Sequence, residues 1–552
     1  MKKAIIPTTL VIAAVSILAA GTFVLKAAAD DHSRRFQFQP DTLVLSRSVY
    51  LGDASTVTLG QTLPPGCVPG TITIPLIAGG TTTVTIPNAN SSGCNTAVAD
   101  GTYPAVFNND GADGSFGVTS PIFLDNITTD GFRIGTLPIP SEQIVTSFSS
   151  KSELALNLSL DGKSITFMGY RGGPGFVTAP NQLDVSNSNT PGVVDPSNPV
   201  SSQYFRSVAE VDANGQLTIT EGNAYSGNNG RAAIKGNSVY YLAGNDNNGG
   251  LNKSQLTKTQ IGVNLVTSTG VELLVPGQTP PPQPPDITKI GDFEITQVGY
   301  TTADKAGKDN NFRGLTIFNN TLYVTKGSGG NGINTVYQVG NAGTLPTGTV
   351  AELAALPITI LPGFSSALAS GVDQAGNPAP VAFPFGIWFA NANTLYVCDE
   401  GDGTLVTPAV NGNVADAATL ATAGVQKWSL VGTTWQLDYI LQNGLNIGVP
   451  YSVPNYPASL NPATDGCRNI TGRVHDDGTV EIYAVTSTVS ASGDQGADPN
   501  KLVKVIDLLQ SKTLPKEDFF LGRFFTLRTA LAGEVFRGIT FAPRDQNDHD
   551  DR

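Results

Sequence analysis

The chain has 552 residues, a formal charge of −13 and only 14% charged residues, with 61 Gly and 36 Pro. That length exceeds one small core and suits a propeller or several smaller domains. An acidic balance without a basic stripe argues against nucleic acid as a partner, and short bursts of Val, Thr, Ile and Tyr between many turn formers point to an all-β fold.

Lys2 and Lys3 precede an apolar run over residues 5–24, and Ala27-Ala28-Ala29 follow it. Residues 1–29 therefore read as a signal peptide. The run is long, so an uncleaved N-terminal anchor is the alternative. Beyond it no segment is apolar enough to span a bilayer. The chain is expected to be exported, whether periplasmic, extracellular or at the cell surface. Four cysteines suit an oxidising compartment.

One phrase recurs along the chain: an apolar strand, a polar turn, a strand rich in Tyr and Val, then a Gly/Asn/Asp-rich loop. Asp41-Thr42-Leu43-Val44-Leu45-Ser46 resembles its second strand with no first strand before it. Residues 52–118 interrupt the next hairpin as an insertion, in which Cys67 and Cys94 are placed to pair locally. Hairpins follow at Asp161-Gly162, Asn214-Gly215 and Gly236-Asn237. Residues 181–202 form a polar loop and residues 276–285 a Pro-rich spacer. Phe312-Arg313-Gly314-Leu315-Thr316 and Phe385-Gly386-Ile387-Trp388 open two further copies, and a last hairpin turns at Asp476-Asp477-Gly478. Second strand pairs are expected after each phrase, among them residues 335–339 with 349–353 and 425–431 with 435–441. Phe536-Arg537-Gly538-Ile539-Thr540 nearly copies the Phe312 start but has no partner strand after it, and residues 544–552 read as a charged, disordered tail.

The two incomplete ends complement each other. The expected fold over residues 36–543 is thus a six-bladed β-propeller of four-stranded antiparallel blades, closed by pairing the C-terminal strand with the N-terminal ones. Seven blades is the alternative, with residues 293–298 in an extra strand set.

These repeats and the end-to-end closure resemble the secreted bacterial six-bladed propellers of the NHL-type and lactonase-like group. The resemblance is architectural. It implies, for lactonase-like members, a calcium ion held by a Glu, Asn residues and an Asp at inner-strand ends, and it makes Glu153 the counterpart of that Glu.

The propeller arrangement brings one set of loops to the face where inner strands begin. That central mouth gathers Glu153, Asn229, Arg231, Asn311, Arg313, Lys326, Asp399, Glu400, Arg468 and Arg537 as candidate binding residues. Arg opens four inner strands, either to hold an anionic ligand or to brace neighbouring blades. Glu153, Asp399 and Asp402 are candidate calcium ligands, although the run from Asp399 to Gly403 equally reads as an acidic turn. The same geometry brings Cys398 and Cys467 onto adjacent blades, where they are expected to form a disulfide. Histidine is scarce: His32, His475 and His549 all fall away from the mouth, which disfavours a Ser-His-Asp triad and His-rich metal sites. The expected function is an exported scaffold that binds an unknown small-molecule or protein ligand through the mouth. Alternatives are a calcium-dependent hydrolase of the lactonase or phosphoesterase class and a structural cell-surface protein.

Overall fold

The computed structural model describes residues 36–50, 58–63, 67–75, 80–86, 94–96, 103, 119–148, 150, 153–172, 188–191, 203–245, 263–267, 288–293, 295–302, 311–327, 331–404, 421–491, 496–515 and 520–545. The N-terminal signal or anchor, the Pro-rich spacer, most of the insertion and residues 546–552 lie outside them. Among the described residues no helix is long and apolar enough to cross a membrane.

The chain folds as a β-propeller. Five four-stranded antiparallel sheets and a sixth, irregular one follow each other around a ring. Blade I runs outward from Glu534–Phe541 through Leu43–Val49 and Ile122–Ile127 to Arg133–Pro138. Blade III comprises Gly230–Lys235, Val239–Gly244, Val263–Thr267 and Thr288–Lys289. Blade IV comprises Phe312–Phe318, Thr321–Lys326, Thr335–Val339 and Ile358–Ile360. Blade V is Pro384–Asn391, Thr394–Asp399, Gly424–Val431 and Thr434–Leu441, and blade VI is Ala463–Val474, Thr479–Val489, Lys501–Leu508 and Phe525–Thr529.

Blade II is the irregular member. Ile144–Ser147 and Asn157–Leu158 both pair with Ser164–Arg171, followed outward by Arg206–Asp212 and Leu217–Gly222. Two separate segments, ending at Ser147 and beginning at Asn157, thus share the place of one inner strand. Between them lies Leu154, whose φ of 62° no regular strand admits.

The ring closes as the sequence implies. Leu45 faces Ile539 and Leu43 faces Phe541 in an antiparallel ladder, and Leu43, Val44, Leu45 and Ile539 are fully buried. Neighbouring inner strands pack in the order I, II, III, IV, V, VI and back to I. Apolar residues fill every seam, since a blade's face must be buried against the next. Val44 and Leu124 meet Ile165 between I and II, Met168 and Val208 meet Tyr240 between II and III, and Ile234 and Tyr241 meet Leu315 and Val324 between III and IV. Val336 meets Ile387 and Leu395, Tyr396 meets Ile482 and Val503, and Val485 meets Leu45 and Ile539 across the remaining three.

Two local expectations change. Residues 349–353 do not form a strand: Thr349 caps a short helix, Val350–Ala354, by a capping box with Glu352, and Ile358–Ile360 supplies the outer strand instead. Residues 295–298 form a 3-10 turn, with Phe293 packed edge-on against Tyr337, and add no strand set. Of the expected tail, residues 546–552 lie outside the described ones; at its start the Arg544 amide donates to Gly162 O at 2.9 Å. Within the insertion, Gly70–Pro75 pairs with Thr81–Ile86, and Cys67 and Cys94 are joined with a Cα separation of 5.0 Å.

Candidate functional site

The propeller places the ten candidate mouth residues at inner-strand starts and the loops beside them, on blades II to VI and I. Nine of the ten are buried, and only Asn311 is partly exposed. What they touch is mostly the neighbouring blade. Arg231 of blade III donates to Phe312 O at 3.1 Å and to the Asn311 amide oxygen, both at the entry to blade IV. The Arg313 guanidinium lies over the Phe385 ring of blade V at 5.9 Å. Arg468 of blade VI pairs with Glu400 of blade V at 3.1 Å. Arg537 of blade I donates to Ser48 Oγ at 3.2 Å and to Phe148 O of blade II. Arginine serves here as an inter-blade fastener, because its planar fork satisfies several carbonyls and carboxylates from one position.

Within its own blade, Lys326 donates to Asn331 O and to Asn334 Oδ1 at 2.9 Å. Asn229 reaches Ser150 Oγ at 3.4 Å. Glu153 sits between the two inner segments of blade II and accepts from Thr146 Oγ1 at 2.8 Å, Ser147 N at 3.1 Å and Tyr170 Oη at 2.6 Å. Burial pushes its carboxyl above the usual range against the pull of those bonds.

An acidic corner lies between blades V and VI, beside the disulfide of Cys398 and Cys467, whose Cα atoms are 5.2 Å apart. Asp399 is fully buried and accepts from Phe383 N at 2.9 Å, Gly401 N at 3.0 Å and Gln426 Nε2 at 3.1 Å. Its burial pushes the carboxyl up to about 6. Asp402 is exposed and closes its own turn on Thr404 N at 2.8 Å. Among the described residues no three His, Cys, Asp or Glu side chains gather as a metal-holding group. Glu153 and Asp399 stand on blades II and V, which separates them in the ring. His475 lies at the opposite face, 3.2 Å from Glu481.

Two kinds of fastener escaped sequence reasoning. Asn500 clamps the last blade to the first by donating to Phe536 O at 2.8 Å while accepting from Phe536 N at 2.8 Å. Buried tyrosines bind carboxylates at the seams: Tyr396 and Tyr439 both donate to Asp507, which also pairs with Lys427, and Tyr240 donates to Glu210. The recurrence of Tyr at one strand position was visible, but the acidic partners of Tyr240 and Tyr396 lie on another blade. A repeated motif was also available: in Phe312-Arg313-Gly314 and Phe536-Arg537-Gly538 the Gly follows the fastening Arg. A Cβ on Gly314 would stand 2.2 Å from Phe385 O, and one on Gly538 would stand 2.4 Å from Leu156 N, so each blade approaches the next through a missing side chain.

No family model matches the chain, and no curated protein matches it. Among solved structures, a Trp149Ala mutant of the Synechocystis apocarotenoid oxygenase aligns at 9% identity over 92% of this chain and 94% of that one, with a TM-score of 0.34. The parainfluenza virus 5 hemagglutinin-neuraminidase ectodomain aligns at 10% identity over 92% of this chain and 87% of that one, with a TM-score of 0.29.

Proposed function

We propose that this chain is an exported β-propeller that binds a ligand through the face where its inner strands begin, in the manner of the secreted NHL-type and lactonase-like group. The observation that carries this reading is the division of labour on that face. The charged residues at the mouth are engaged with one another and with adjacent blades, which makes a rigid rim. Concave space on the same face lies off the axis, between blades IV and V, and is lined by uncharged residues. Rigid frames with a few fixed polar groups beside apolar walls are how binding sites are commonly built. The two disulfides fit an oxidising, exported setting.

A fragment-library screen by saturation-transfer NMR, followed by hydrogen-exchange footprinting of the hits, tests the reading. Protection is expected in segments of the mouth face, such as residues 226–231, 334–335, 383–386, 426–428 and 465–469. Hits that protect only the opposite hairpins, around residues 161–162, 319–320 and 476–478, would sink it, and so would a screen without hits. A calcium arm separates the hydrolase alternative. A melting temperature raised by saturating calcium and restored by chelator would favour that class, because a ligand held only by the native state stabilises it.

A further inference from the structure

Lys501 opens the third strand of blade VI directly after Asn500, whose amide grips Phe536 at the start of the inner strand of blade I. That places it on the mouth face. Tyr451 reaches the same face, since Pro450 bridges to Ala463, the first residue of the inner strand of blade VI. The two side chains meet, with the Lys501 nitrogen 3.6 Å from the centre of the Tyr451 ring. Both are held in place. The Tyr451 hydroxyl donates to Pro499 O at 2.7 Å, and the Lys501 amide donates to Thr486 Oγ1 at 3.0 Å in a ladder that sets Lys501 opposite Thr529.

Lysines elsewhere in the sheets face carboxylates: Lys235 at 2.5 Å, Lys427 at 3.1 Å and Lys504 at 2.7 Å. Lys501 is half-buried, and among the described residues no carboxylate pairs with it. The charged groups packed nearby are engaged elsewhere. Asp498 accepts from Tyr456 Oη at 2.8 Å and Ser490 Oγ at 2.9 Å, and the Arg528 guanidinium lies over the Phe536 ring at 5.9 Å. A ring face returns to an ammonium only part of what water gives it. Desolvation without a countercharge therefore brings the amine from 10.5 down to about 8. A lysine amine held in this state is a nucleophile near neutral pH.

We propose that Lys501 is a covalent carbonyl-binding site that takes small, uncharged aldehydes as imines. The neutral Nζ attacks the carbonyl carbon, and a C–N bond forms as the C–O π pair moves to oxygen. Two protons pass from nitrogen to that oxygen, water leaves and a C=N bond remains. Amine and aldehyde thus give imine and water, with no oxidant or reductant. The face of Tyr451 offers the aldehyde's chain an apolar wall. A charged aldehyde is disfavoured, because it would bring an uncompensated charge to a desolvated place. This amine chemistry stands apart from the reversible binding read above, and neither needs the other.

The experiment incubates the full chain with butanal and cyanoborohydride, which reduces the imine to a stable secondary amine, and locates labelled lysines by peptide mass spectrometry. At pH 7 Lys501 should be labelled at least about tenfold faster than Lys512, whose side chain is 57% exposed, because far more of the Lys501 amine is neutral. Its rate should rise with pH to a midpoint of about 8. Tyr451→Ser, which admits water, should move that midpoint up toward about 10.4 and slow labelling at pH 7. Tyr451→Phe keeps the ring and should label like the parent. Labelling of Lys501 no faster than that of Lys512, a midpoint shared with Lys512, or a Tyr451→Ser profile like the parent's overturns the proposal. Both lysines are read in one sample of the parent chain, so the comparison decides even where Tyr451→Ser folds poorly. Slow labelling of Lys501 while fragments protect the mouth face removes this site and leaves the broader reading standing.

Discussion

Arg468 and Glu400 show what a mouth residue does in this ring. The pair is 3.1 Å apart, with side chains 5% and 2% exposed, and it joins blade VI to blade V. Removing one partner leaves a buried charge without compensation, which costs about 3–5 kcal/mol. Arg468→Ala should therefore lower the melting temperature clearly, and Glu400→Gln somewhat less, because the amide still accepts a bond. An unchanged melting temperature in Arg468→Ala would return this arginine to the pool of ligand-binding candidates. Asp399 makes a pH prediction. Burial raises its carboxyl from 3.8 to about 6, so between those values the folded chain holds more protons than the unfolded one. Its contribution to stability is full below about pH 4 and is lost as pH rises through about 6. Glu481 acts in the opposite sense at lower pH. Burial pushes it up, but bonds from Lys504 and Arg473 prevail and bring it from 4.5 down to about 2, so its contribution is lost as pH falls through that value. The urea midpoint of Asp399→Asn relative to the parent should shift in the variant's favour between pH 4 and 7. A difference that stays constant with pH would contradict this account. The recurrence of Arg at inner-strand starts was legible in the sequence. Its choice between ligand and neighbour was not, because Glu400, Phe148 O and Phe312 O reach their arginines only after the blades are placed.

At the scale of the element, close approach between blades sets the demands. Gly314 in the inner strand of blade IV leaves room for Phe385 O, and Thr325 Oγ1 donates to that same oxygen at 2.5 Å. Gly314→Ala should destabilise by about 1–3 kcal/mol, as overpacking of a filled interior does. A neutral effect in urea unfolding would show that the seam is looser than described. The short helix Val350–Ala354 depends on its capping box, in which Thr349 N donates to Glu352 Oε2 at 2.8 Å. Thr349→Ala should cost about 1 kcal/mol and speed amide exchange over residues 350–354, with blade V unaffected. This helix also marks a limit of strand periodicity as a guide. Residues 349–353 fill the place in the repeat where a fourth strand belongs, yet a Thr-x-x-Glu start followed by Ala and Leu satisfies a helical turn locally. The divided inner strand of blade II was hidden for a related reason: Leu154 adopts a positive φ that its side chain does not announce.

For the whole molecule, the central claim is a ring latched by its own ends. The claim was legible because each end of the sequence lacks what the other supplies: Phe536-Arg537-Gly538-Ile539 is an inner strand without a successor, and Leu43-Val44-Leu45 a second strand without a predecessor. The structure adds the register, Leu45 opposite Ile539, and the seam that packs Tyr483 and Val485 of blade VI against this pair. Ile539→Ala empties a fully buried position and should cost about 2–5 kcal/mol, with the loss felt by blades I and VI together. The most direct test is native-state hydrogen exchange followed by mass spectrometry on peptides covering residues 43–49 and 534–541. Chain-terminal strands that merely fray exchange through local opening, whereas a latch opens only when the ring does. The account predicts that both peptides are protected to the level of the central strands of blades IV and V, and that both lose protection together as urea is added. Rapid exchange of either peptide while the other blades remain protected would contradict the closed ring.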